Sequence, residues 1–214
     1  MTDTFLYIFP AAFPALALAH FMALLSPGPD FFLILGHSVR HRIKGSLFIC
    51  IGIAVGHTLY IVCAIIGWSG LKQSTLLYRS MEFGGAVYLV WLGFMLYRSS
   101  RRTFMLTIQE ATSLSPVTQG ITGFLCAVSN PKNAVFYLTL MTVIIGPSAT
   151  ILQQSLCGLW MVCVVFIWDV LVAVFIADQR VQKRLVQYIS TIERVSAFIL
   201  VGLGGGIMIT ILLR

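Results

Sequence analysis

The sequence predicts an all-α integral membrane protein with six transmembrane helices, arranged as two inverted three-helix repeats. Three observations carry this expectation. The first is composition: 58% of the 214 residues are hydrophobic and 10% are charged, against about 25% charged in a soluble domain. Mean hydropathy is +0.94. The second is length. Six apolar stretches, at about 13–35, 45–68, 76–97, 120–145, 155–177 and 195–213, reach the roughly 20 residues that a span requires. Hydrocarbon offers no partner to an open backbone, so each is expected to be a helix. The third is repetition between the halves, set out below. Little chain remains for a soluble domain, so a single transmembrane domain is expected over residues 1–214.

The stretch at 13–35 follows Pro10 and Pro14, which predict an irregular approach to the helix. No Lys or Arg precedes Arg40. A cleaved signal wants a basic start, so this segment is expected to be retained. Ser26-Pro27-Gly28-Pro29-Asp30 interrupts it. Proline removes a backbone donor and frees a carbonyl one turn earlier. Gly28, between two prolines, permits unusual dihedrals. The first helix is therefore expected to break near the membrane midplane. The second span carries Gly52-x-x-x-Gly56, a close-packing signature, and then His57. Glu82 and Glu193 are read as helix-start residues of spans three and six, where the N-terminal dipole favours an acid.

Residues 98–118 form the longest polar connection and divide a first repeat at about 5–98 from a second at about 119–214. The fourth span is broken by Ser129-Asn130-Pro131-Lys132-Asn133. Asp169 sits in the fifth span, and Gly204-Gly205-Gly206 in the sixth reads as tight helix packing. The residues from Glu82 to Gly93 match those from Glu193 to Gly204 at six of twelve positions, with a constant offset of 111. Ser26 and Ser129 are offset by 103. Three spans per half invert the second half, a plan common among secondary transporters, whose broken helices meet at a midplane substrate site.

Charge sets the expected orientation. Ten of the 14 Lys and Arg lie in three connections: Arg40, Arg42 and Lys44; Arg98, Arg101 and Arg102; Arg180, Lys183, Arg184 and Arg194. The positive-inside rule places these loops in the cytoplasm and both termini outside. The net charge of +7 is then topology and contact with anionic membrane lipid, not nucleic-acid binding. The five cysteines fall in apolar runs without a CxxC pair and read as small buried hydrophobes. No metal or cofactor is expected.

Asp30 and Lys132 follow Pro29 and Pro131 at equivalent places in the two breaks. Each costs about 2.5–3.5 kcal/mol near a helix centre. One reading is a mutual ion pair that neutralises both. The other is contact with substrate, coupling to protons, or both. Broken helices expose an N-terminal end that favours an anion and a C-terminal end that favours a cation. An amino acid presents both charges. Asn130 and Asn133 donate and accept, suiting a zwitterion or freed backbone. Asp169 is either a further substrate or proton group or a partner for a basic loop. Ser26, Ser129, His57 and His20 border the breaks as candidate polar or relay groups. No HExxH or GxSxG occurs, so an intramembrane enzyme is a distant alternative. A transporter of another small solute or cation is the nearer one, with Lys132 against a divalent ion.

At these residues the chain resembles the LysE/RhtB family of amino-acid exporters. The likeness rests on Ser26-Pro27-Gly28-Pro29-Asp30, the basic loop 40–44, Gly45 to Gly56, Ser129-Asn130-Pro131-Lys132, Trp168-Asp169 and Gly202-Leu203-Gly204. It covers essentially the whole chain. The proline-bearing start at 9–14 is one departure. The resemblance implies a multi-pass protein of the cytoplasmic membrane that exports amino acids or analogues by proton antiport, without enzymatic activity, as a homodimer.

Overall fold

The computed structural model describes residues 7–26, 28–41, 46–71, 75–101, 115–146, 148–176 and 178–213. Among these the regular structure is helical: α1 (Phe13–Leu24), α2 (Pro29–His41), α3 (Leu47–Leu71), α4 (Thr75–Ser99), α5 (Pro116–Val128), α6 (Pro131–Thr139), a π-helical segment (Leu140–Ile145), α7 (Ile151–Ile176) and α8 (Gln179–Leu212). Four of them, α3, α4, α7 and α8, are each long and apolar enough to cross a membrane; α1 with α2 makes a fifth crossing if taken together. These two meet at 54°. The outer surface is apolar: Ile66, Phe94, Leu159 and Phe198 are each more than half exposed. Such a surface suits lipid.

The prolines act where the sequence places them. Pro29 opens α2. At the second break α5 stops at Val128, and Asn130 caps α6 in extended conformation. The Asn130 side chain accepts from the Lys132 amide at 3.1 Å, which satisfies one of the orphan donors of the new helix. Ser115 caps α5 in the same way, accepting from the Thr118 amide. The π segment after α6 is wholly buried and ends at Gly146, whose φ of 74° is left-handed.

Lipid gives helices no hydrophobic reason to associate, so small residues and close backbones do the packing. In α4 and α8 a Cβ at Gly93 would lie 2.8 Å from the Ala197 carbonyl oxygen, and one at Gly204 would lie 2.8 Å from that of Ala86. Each glycine also meets a valine, Val201 and Val90 respectively. The two contacts are the same contact shifted by 111 residues, and they run in opposite senses along the two helices. The pair is therefore antiparallel and pseudo-twofold. Gly52 and Gly56 of α3 bring that helix against α5, as the sequence suggests.

Several expectations are corrected. Glu82 and Glu193 do not start helices. They lie well inside α4 and α8 and are buried, because both helices begin earlier, in polar sequence. Of the glycine triplet only Gly204 is packed; Gly205 and Gly206 have open space around them. Cys50 and Cys157 are buried, but Cys63 and Cys163 are exposed.

Candidate polar site at the helix breaks

Break one and break two meet. A cavity of about 60 Å³ is lined by Ser26, Gly28 and Asp30 from the first, and by Asn130, Lys132 and Asn133 from the second. His20, His57, Tyr137 and Asp169 complete its polar wall. Pro29 and Ser129 line a separate groove instead, shared with Asn130. Pro27 lies outside the described residues. Pro131 is the first residue of α6.

Asp30 stands in the first turn of α2. Its Oδ2 receives His57 Nε2 at 3.2 Å and Asn133 Nδ2 at 3.3 Å. His57 Nδ1 faces the Tyr137 hydroxyl at 2.5 Å. With Asp30 ionised and the ring neutral, Nε2–H donates to the carboxylate and Nδ1 accepts from Tyr137. The three groups form one hydrogen-bonded chain, Tyr137 to His57 to Asp30. Among the described residues the basic side chain within 4.0 Å of Asp30 is His57. Lys132 instead directs Nζ to Ser26 Oγ at 3.4 Å. A closed Asp30–Lys132 pair is therefore not the arrangement.

Two carboxylate oxygens keep capacity. Asp30 Oδ1 and Asp169 Oδ2 are buried without a hydrogen-bond partner. A buried polar atom without a partner is costly, and both of these oxygens belong to residues that line the same cavity. Lys132 supplies the opposite sign. A lysine in the first turn of a helix adds to the positive end of the dipole rather than opposing it. The start of α6 thus favours an anion. The cavity has carboxyl groups at Asp30 and Asp169 on its wall, and the Lys132 amine on the same wall. Among the described residues no group of three or more His, Cys, Asp or Glu is placed to hold a metal ion.

Tyrosines also support the site, and motif reading passes over them. The Tyr60 hydroxyl donates to the Val128 carbonyl at 2.5 Å, and Tyr88 to the Lys132 carbonyl at 3.0 Å. Both carbonyls flank the second break. The available signal is generic: a tyrosine inside an apolar span needs a partner for its hydroxyl. His20 packs against Tyr137, with ring centroids 5.9 Å apart, and its Nε2 donates to the Met161 carbonyl at 3.3 Å.

A threonine efflux protein of Salmonella typhi is 28% identical over 142 residues, covering 63% of this chain and 66% of that protein. The chain thus matches just under two thirds of that relative's length. The uncharacterized membrane protein YrhP of Bacillus subtilis is 26% identical over 200 residues, 86% of this chain and 91% of the relative. A leucine efflux protein of Enterobacter sp. is 28% identical over 132 residues, 61% and 62% of the two chains. No solved structure matches. The family model for the LysE type translocator matches residues 21–210, a stretch holding both breaks and every lining residue but His20; with its membrane-length helices, this chain belongs to that family of multi-pass transporters.

Proposed function

We propose that the chain exports amino acids from the cytoplasm, in exchange for protons, across the cytoplasmic membrane. One observation carries the reading. The two helix breaks deliver side chains of opposite charge type, Asp30 and Lys132, to one small cavity. The relatives named for threonine and leucine efflux agree with it. The architecture we infer has six crossings, with α5, α6 and the π segment forming the fourth. Two inverted halves meet at the cavity. The antiparallel, offset-matched contact of α4 with α8 supports this plan. The basic connections then face the cytoplasm and both termini face outward.

In the cycle we infer, substrate arrives from the cytoplasm. Lys132, at the positive end of α6, holds its carboxylate. Asp30 and Asp169 hold its ammonium. On release to the outside Asp30 takes a proton, which His57 and Tyr137 relay. Substrate and proton compete for one carboxylate, so the site is charge-compensated in either form. Alternating access comes from the two breaks acting as hinges.

The test is uptake of labelled amino acids into inside-out vesicles, with and without a proton gradient. The expected result is gradient-dependent uptake, lost in Asp30→Asn. Lys132→Met is expected to raise KM roughly tenfold or more, because one partner of a charged contact is lost. Uptake that ignores the gradient would remove proton coupling. Absence of uptake across a broad amino-acid panel, with folded protein, would favour a different solute.

A further inference from the structure

A second cavity, of about 250 Å³, adjoins the polar one and shares Leu24, Phe31, Trp168 and Val172 with it. Its other walls include Leu171, Phe175 and Ile176 of α7 and Ile189 of α8, and among the described residues no charged side chain lines it. The two spaces differ in what they hold. At about 10–15 Å³ per water-sized centre, the polar cavity accommodates some four to six heavy atoms. That is about the size of an α-amino-acid head group, with little left for a side chain. The apolar cavity is four times larger and lies where α7 ends and α8 begins. The first turns of α8 carry Arg180, Lys183 and Arg184, so the positive-inside rule puts this end on the cytoplasmic side.

Resting on the amino-acid export reading, we infer that the apolar cavity receives the substrate's side chain, so that the exported class is amino acids with large apolar side chains, branched aliphatic or aromatic. Phe31 and Trp168 stand at the shared wall, where a Cβ leaving the polar cavity would pass. Apolar contact there favours carbon and gives a hydroxyl or ammonium no partner. A threonine hydroxyl or a lysine amine would lose its water without compensation.

The experiment uses the full chain, purified and reconstituted in liposomes, with leucine, phenylalanine, alanine, threonine and lysine as probes. Leucine and phenylalanine are expected to be transported at least tenfold more efficiently than threonine and lysine, the range that pocket fit supplies. Leu171→Trp fills the apolar cavity from a position outside the polar site. It is expected to lower leucine and phenylalanine transport tenfold or more and leave alanine within twofold. Ile189→Ala widens the cavity and is expected to shift preference from leucine toward phenylalanine, which tests the same point without added bulk. Threonine or lysine transported in preference to leucine would overturn the inference while keeping amino-acid export. So would leucine transport that both variants leave unchanged, as when lipid fills the cavity. Failure to transport any of the five would remove the export reading itself, and the inference with it.

Discussion

Two helix contacts around the site are built in opposite ways. Where α3 meets α5, backbones touch: a Cβ on Gly52 would lie 2.8 Å from the Phe124 nitrogen, and one on Gly56 would lie 3.1 Å from the Phe124 oxygen. Where α2 meets α7, side chains do the packing, with Ile34 and Leu35 in one cluster with Val165, Val172 and Ala173. Gly36 of α2 has nothing within 4 Å of its missing Cβ. Both cavities open on this second contact. A backbone contact has one fitting position, because any slide produces overlap. A side-chain contact beside empty volume tolerates small shifts through rotamer changes. The difference makes α3 against α5 the tighter contact, and α2 against α7 the looser one.

Gly52→Ala is the most severe way to break this comparison. The new methyl would overlap the Gly120 carbonyl, and overpacking costs about 1–3 kcal/mol. The expected outcome is a lower melting temperature and less folded protein in detergent, followed by size-exclusion profile against temperature. A wild-type melt would mean that this contact is not a clamp. Asp169→Asn tests the other side. It keeps volume but removes a buried ionisable carboxyl that lacks a partner for Oδ2, so stability should hold or rise. Transport is expected to fall at least about tenfold, with KM carrying the change; unaltered KM would remove Asp169 from substrate contact.

Tyr60→Phe sharpens the picture at a finer scale. It leaves the Val128 carbonyl without its donor, at a cost of about 1–2 kcal/mol. A modest fall in melting temperature is expected, with substrate preference intact. The smallest effect belongs to Gly36→Ala. The added methyl meets open space, and alanine favours helix by up to about 1 kcal/mol. Melting temperature should rise slightly, opposite in sign to Gly52→Ala. Equal and negative shifts at both glycines would erase the distinction between the tight and the loose contact.

How much of this was legible beforehand differs by feature. Composition and apolar run length announced a helical membrane protein, because lipid leaves few choices. Pro29 and Pro131 marked where helices begin. Asp30, Lys132, Asn130 and Asn133 could be chosen because charge and amide inside an apolar run are conspicuous. Their partners were not legible. That Asp30 meets His57, and that Lys132 turns to Ser26, depends on how helices distant in sequence rotate about their axes. Glu82 and Glu193 misled for a related reason: hydropathy detects the apolar part of a helix, while α8 already begins at the polar Gln179. Tyr60, Tyr88 and Tyr137 look like ordinary apolar-span residues until a carbonyl or an imidazole is placed opposite.

The buried π-helical segment after α6 has a consequence for the angular phase of the site. Such a segment holds one residue more than α-helix would over the same path. Each α-helical residue advances the direction of its side chain by about 100°. Delete one residue between Leu140 and Ile145, and α6 would reach the same anchor at Gly146 turned by roughly that angle. Asn133 and Tyr137 would then swing away from Asp30 and His57, although no residue of the cavity had been altered. A single-residue deletion in this segment should therefore silence the transporter from a distance, and the surplus residue works as the timing mark that keeps the two halves of the site in step.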